Sequence, residues 1–480
     1  MNTFQKRAII LIITCIFIFL IIYLPHYINP FPIHIDEWHH LDQALKLKNG
    51  EYHLGDNSVE LGFHIFLYIV SFVMNLTLNY QFLPAIWAVF TALILFFITY
   101  KKTNSFQTGI FAMIFFASIK TNVNILGLWF FTPLTFAIPF IFLFIYFYTE
   151  GIQKQNKKSI MISLAIILLL IPTHSISFLF ALPFLTFYTL INYKYLIKEY
   201  KFFSIFLLIP IAGIFFYSQI FNLTLLQSFQ TLINQLQFKY GWGILELNNS
   251  PFEIYSLIGY ILAIISLFVL IKPKNLKKSL PYILWPIFLI IQIAIYRVTD
   301  ISYLSPYQRN LYYFAISLPF LSAIGLQYII TKTQSITDSK KLKKIFMILI
   351  IIITLIFTIY SYIDIPKNTK LYTPIDKSDY FAIKNLSDLQ KSKILATPAV
   401  SIAIYPITEK HEIVAGVFFN SHYKQETKNF FKTDTNCSEK QKIIDKHNVD
   451  YIIYSNPINC SYELIYNKTY ESSTNYIYKI

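Results

Sequence analysis

The stretch LGFHIFLYIVSFVMNLT, Leu61–Thr77, is apolar enough to pass for a membrane span, and whether it crosses decides the topology of the whole chain. If it crosses, Lys101 and Lys102 come to the outer side and the later basic loops follow them. If it lies along the outer interface, Lys101–Lys102, Lys154–Lys158, Lys194–Lys201, Lys272–Lys278 and Lys332–Lys344 all share one side. Short Lys/Arg-rich loops stay in the cytoplasm. The interfacial arrangement is therefore expected, with the N-terminus cytoplasmic and the C-terminal segment extracytoplasmic.

Around this stretch the chain reads as lipid-solvated. Of its 480 residues, 55% are hydrophobic and 14% charged, against about a quarter charged in soluble proteins. Continuous apolar runs near 8–27, 80–100, 106–119, 131–149, 158–173, 175–193, 202–220, 253–271, 280–297, 310–330 and 345–362 give about eleven expected spans. Lys6 and Arg7 precede the first run, which is too long for a secretory leader and has no small-residue cleavage site, so it reads as an uncleaved span. The net charge of +15 sits in loops between apolar runs, which argues against a nucleic-acid partner. The 46 Phe and 36 Tyr suit a helix bundle with wide interfacial belts.

After about residue 363 the texture becomes that of soluble protein. Helices are expected at Ser378–Leu389 and Ser438–His447. Strands are expected at Lys393–Thr397, His411–Gly416 and Val449–Tyr454, with a closing hairpin from Tyr462–Tyr466 and Tyr476–Ile480. Ala399–Tyr405 reads equally well either way. The expected fold is an all-α polytopic membrane bundle (1–362, including an outer loop at 28–79) followed by a small exterior α/β domain (363–480). Cys437 and Cys460 fall in that domain and can pair if it faces an oxidising compartment.

The stretch most suggestive of chemistry is His34-Ile35-Asp36-Glu37-Trp38-His39-His40-Leu41-Asp42, just outside the first run. Adjacent carboxylates among aromatic residues are costly to bury unless they pair or work. Asp36 can N-cap a helix running from Glu37 to about Lys48, and that role is compatible with a catalytic one. His34, Glu37 and His40 could offer metal ligands, but the zincin motif is incomplete. No cofactor is identified, and a divalent metal has no clear motif to hold it.

This stretch resembles the first outer loop of GT-C glycosyltransferases: an uncleaved span, an acidic pair opening a helix, and Asn49-Gly50 closing it. Leu61-Gly62-Phe63-His64, Lys101-Lys102, Pro172-Thr173-His174-Ser175 and Pro306-Tyr307-Gln308-Arg309 follow in the order such a protein would have. The pattern looks closest to the protein mannosyltransferase and aminoarabinose transferase branch. The Trp-Trp-Asp motif of oligosaccharyltransferase catalytic subunits is absent, and Lys239-Tyr240-Gly241-Trp242-Gly243 does not replace it.

The resemblance implies sugar transfer from a polyprenyl-phosphate donor to a hydroxyl-bearing acceptor (protein, lipid or glycan) on the outer face of the cell membrane. A carboxylate base would take the acceptor proton. Asp36 is the candidate, with Glu37 beside it as neighbour or substrate ligand. The departing lipid phosphate gains charge, so a cation should meet it. Arg309 fits best, next to Tyr307 in the same motif, and Arg297 comes second. The competing reading of Arg309 is a side chain snorkelling to the interface. His64 and His174 read either as substrate contacts or as interfacial hydrogen-bonding residues, and Trp242 either as a sugar-stacking ring or as an interfacial anchor. The rival class is a transporter or lipid flippase, which would need polar residues in mid-span that the runs scarcely offer.

Overall fold

The computed structural model describes residues 2–27, 29–53, 60–121, 126–238, 251–336, 373–416, 421–470 and 473–480, with scattered positions between 342 and 356. Trp242, the Lys239–Gly243 stretch, most of the 345–362 run and the expected boundary at 363 lie outside the described residues. The chain forms two compact units. The first comprises Met1–Leu24, Gly55–Gly62 and Pro84–Ile365; the second comprises Pro25–Leu54, Phe63–Leu83 and Pro366–Ile480.

The first unit is helical. Five stretches among the described residues are long and apolar enough to cross a membrane: Thr3–His26, Leu76–Thr103, Pro133–Gln153, Ser279–Thr299 and Tyr307–Thr333. Helices at Phe106–Ala117, Lys157–Thr173, Ser175–Ile191, Tyr200–Ile220 and Leu257–Leu270 coincide with the other apolar runs. The first helix leaves Ile9, Ile12, Ile13, Ile16 and Leu20 exposed, an apolar face that suits lipid.

Close approach between helices rests on glycine. A Cβ on Gly325 would stand 1.9 Å from the Leu262 carbonyl oxygen, so Leu257–Leu270 and Pro319–Ile336 meet backbone to backbone. At one end of the bundle Glu150 bridges Lys102 (2.5 Å) and Lys154. A two-strand pair, β1 (Gln237–Phe238) with antiparallel β2 (Ser302–Tyr303), ties the loop before Pro306 to the segment ending at Leu236.

The second unit joins segments from the N-terminal part of the chain, Pro25–Leu54 and Phe63–Leu83, to its C-terminal part. A mixed sheet runs in the order β4-β3-β5-β7-β6, from β3 (Lys393–Leu395), β4 (Glu412–Ile413), β5 (Tyr451–Tyr454), β6 (Glu463–Tyr470) and β7 (Ser473–Lys479). β3 lies parallel to β4 and β5, while β7 runs antiparallel to β5 and β6. Leu395, Phe430, Ile444, Val449, Ile452 and Tyr478 pack as its core. Cys437 and Cys460 are joined by a disulfide, and Cys460 packs against this core.

The outer loop contributes the Ile35–Lys48 helix and most of the Leu61–Ser71 helix. The eleven residues of the Leu61–Ser71 helix rise roughly 16 Å, about half the hydrocarbon thickness. Phe31 stacks on Tyr380 at 4.7 Å, Lys48 pairs with Glu409 at 3.1 Å, and Thr77 donates to the Pro406 carbonyl at 3.1 Å. Tyr405 donates to Glu51 (2.8 Å) and accepts from the Asn49 amide (3.2 Å). The ambiguous stretch 399–405 is helical, in short turns at Pro398–Ser401 and Ile404–Thr408.

Candidate functional site

The Ile35–Lys48 helix begins two residues earlier than its acids suggest, and its cap is not Asp36. His34 is the N-cap: its Nδ1 accepts the Asp36 backbone N–H at 3.0 Å. Glu37, at the third helical position, returns the favour. Its Oε2 accepts from the backbone N–H groups of His34 (3.1 Å) and Ile33 (2.9 Å). This is a capping box with histidine in the place usually held by Ser or Thr. It leaves Glu37 fully buried, with its carboxyl at the positive end of the helix. Trp38 locks the turn by donating to the Pro32 carbonyl at 2.9 Å.

The capping arrangement corrects the expectation that Asp36 holds the helix start. Asp36 stands in the first turn with its side chain about a quarter exposed, taking no part in the cap. Its carboxylate is 3.7 Å from His34 Nδ1, but that nitrogen accepts a backbone N–H and so carries a lone pair rather than a proton there. Among the described residues, His34, Glu37 and His40 do not bring their ligand atoms together as a possible metal-binding group.

One turn on, the helix becomes more enclosed. His39 is held down to about 4 by burial, opposed by the Asp36 charge and assisted by Lys46. Burial pushes the Asp42 carboxyl up, against the pull of its 2.8 Å bridge to Lys46. His40 Nδ1 lies 3.0 Å from Nε2 of His64 on the Leu61–Ser71 helix. The other nitrogen of His64, Nδ1, meets the Tyr52 hydroxyl at 3.2 Å. Burial, with a smaller contribution from His39, holds His64 down to about 3, so its ring is neutral.

The remaining expected site residues lie in the first unit. Pro306 caps the Tyr307–Ser317 helix, every residue of which is buried. The turn before it is fixed by Asn310, which donates to Ser302 Oγ at 2.7 Å and accepts from Ser305 at 3.2 Å. Tyr307 is fully buried, stacked on Tyr296 at 4.2 Å, and its hydroxyl accepts from Arg297 Nε at 2.8 Å.

Arg309 is only 9% exposed in the first turn of this helix, and its charge is felt at His174 and Tyr313. His174 caps the Ser175–Ile191 helix, with Nδ1 2.6 Å from Ser177 Oγ and 3.3 Å from the Ser177 backbone N–H. The Ser177 hydroxyl in turn contacts the Tyr313 hydroxyl. Gln308 is buried beside Arg309, and its Oε1 meets no donor among the described residues.

Within the first unit the fold thus brings together Arg309 and His174 and adds Tyr313 and Ser177, which sequence reasoning missed. In the second unit it brings Asp36 and Glu37 into one helical turn, sets His40 beside His64, and adds Tyr52. The spacing His34-x-x-Glu37 was the available signal for the cap, hidden because histidine is an uncommon capping residue.

No protein-family model and no curated protein sequence matches the chain. Solved structures do. The apo oligosaccharyltransferase of Archaeoglobus fulgidus superposes over 95% of this chain and 70% of its own, with a TM-score of 0.61 at 13% identity. The same archaeal enzyme, AglB, in complex with an inhibitory peptide and a dolichol-phosphate, gives 0.56 at 13% identity over 94% and 70%. Apo ArnT from Cupriavidus metallidurans gives 0.57 at 10% identity over 99% of this chain and 98% of that one. Both proteins are members of the GT-C superfamily, and the chain shares their fold.

Proposed function

We propose that this protein is a multi-pass membrane glycosyltransferase that moves a sugar from a polyprenyl-phosphate carrier to an acceptor at the outer face of the cell membrane. The observation that carries the reading is Arg309, a guanidinium buried in the first turn of a helix within a membrane protein. A guanidinium placed there can stabilise the negative charge that a departing lipid phosphate gains. The helix N-terminus adds its own positive potential, and the arginine fork matches phosphate oxygens two at a time. The shared fold with AglB, whose structure holds a dolichol-phosphate, supports a polyprenyl-phosphate donor.

The roles then divide. Arg309 stabilises charge on the departing lipid phosphate, while His174, Ser177 and Tyr313 hold the polar surroundings around it. Asp36 takes the acceptor proton, and Glu37 fixes the turn on which Asp36 stands. His64 and Tyr307 are second-rank substrate contacts, since their polar atoms already have protein partners. Trp242 remains a candidate for stacking on a sugar ring. The basic loops face the cytoplasm, the Leu61–Ser71 helix lies in the outer interface, and the 363–480 segment is extracytoplasmic. The Cys437–Cys460 bridge supports that side, because disulfides persist where the compartment is oxidising.

The test is donor use by purified protein. Arg309→Ala should lower lipid-phosphate release from a polyprenyl-phosphate sugar at least roughly tenfold. Arg309→Lys should recover only part of it, because charge returns without the fork. Full recovery by Lys, or wild-type release by Ala, would remove Arg309 from the reaction. Wild-type protein that releases no lipid phosphate across a donor panel would remove the glycosyltransferase reading itself.

A further inference from the structure

We infer that His40 and His64 form a binding site for a divalent transition-metal ion of the zinc type. The two rings come from different helices and are 24 residues apart in sequence, yet His40 Nδ1 and His64 Nε2 stand 3.0 Å from each other. Both side chains are buried, at 5% and 0% exposure. Two imidazole nitrogens bound to one ion at about 2.0–2.1 Å are about 2.9–3.4 Å apart, from a right-angled to a tetrahedral bite. The observed spacing falls inside that range.

The outer partner of His64 points the same way. A ligating histidine usually gives its second ring N–H to an acceptor, which fixes tautomer and orientation. His64 Nδ1 lies 3.2 Å from the Tyr52 hydroxyl, which can take that N–H and so leave the Nε2 lone pair for the ion. The bland alternative is a single N–H···N hydrogen bond between two neutral rings, and it predicts no metal affinity. Imidazole donors favour zinc, cobalt, nickel and copper over magnesium or calcium. His40 and His64 supply two of the ion's donors, and its remaining positions are filled by other donors. The inference does not depend on sugar transfer.

The experiment uses full-length protein purified in detergent, stripped with chelator and titrated with Co²⁺ and then Zn²⁺. Wild type should take up one ion per chain, develop a visible Co²⁺ absorption band that Zn²⁺ displaces, and show two imidazole ligands by X-ray absorption. His40→Asn and His64→Asn should each weaken uptake at least about tenfold. Tyr52→Phe, which leaves both ligands in place, should weaken it about tenfold while preserving the band; it serves as the probe if a histidine variant fails to fold. Wild type that binds no ion, an ion without imidazole ligation, or unchanged uptake in the folded Asn variants would overturn the site.

Discussion

Asp36 and Glu37 are neighbours with the same charge, yet their surroundings divide their work. Glu37 accepts two backbone N–H groups and is wholly buried, whereas Asp36 is partly exposed and outside the cap. Glu37→Gln should therefore act through stability, lowering it by about 1–3 kcal/mol because a buried charged acceptor at a helix start is lost. Thermal unfolding of purified variants checks this, with Asp36→Asn close to wild type.

His64 gives a pH signature at the same scale. Its folded value of about 3 lies below the usual 6.5, so the unfolded chain binds the extra proton. Its contribution to stability is complete above pH 6.5 and is lost as pH falls towards 3. Between about pH 7.5 and 5.5 the loss is about 1.4 kcal/mol. Asp379 opposes it, since burial raises its carboxyl to about 6 and favours the folded state at lower pH. The clean comparison is wild type against His64→Gln, both with chelator present: the variant should lose less stability on acidification, and equal slopes would contradict the assignment.

At the scale of elements, the apolar runs were legible because lipid leaves their signal unmixed, and the helices fall where those runs lie. The start of the Ile35–Lys48 helix was not legible, because His34 acts as the cap and the acids draw attention to themselves. The Ser421–Phe430 helix was passed over because its sequence, SHYKQETKNF, is nearly all polar and carries little apolar periodicity. Residues 399–405 were ambiguous because most of them are buried all round, which erases any period; Pro398 at the first helical position was the better guide. Pairing of Tyr313 with Ser177 spans 136 residues, and no local pattern announces such a contact.

Helix contacts also yield a prediction. Gly325→Ala should force the Leu257–Leu270 and Pro319–Ile336 helices apart and lower stability by about 1–3 kcal/mol or more. Gly213→Ala, where an added Cβ meets nothing within 4 Å, should be neutral or mildly stabilising in the same detergent-melt assay.

For the molecule as a whole, the sequence carried the membrane character and the GT-C resemblance, and the fold shared with AglB and ArnT bears both out. Trp242 sits where the structure offers no description. Topology is open to direct measurement. With native Cys15 replaced by Ser, single cysteines at Asn79 and at Asp434 should react with impermeant maleimide in sealed cells, and one at Ser105 should not. Protection of the Asp434 position would reverse the assigned sides.

The central claim is that Asp36 is the base of a sugar-transfer reaction. It is tested most directly by timing lipid-phosphate release from a polyprenyl-phosphate sugar with purified wild type and Asp36→Asn side by side. The expected result is release by wild type and a loss of about 10²–10⁴-fold in the variant, at unchanged melting temperature. Turnover in Asp36→Asn within a few fold of wild type would contradict the claim.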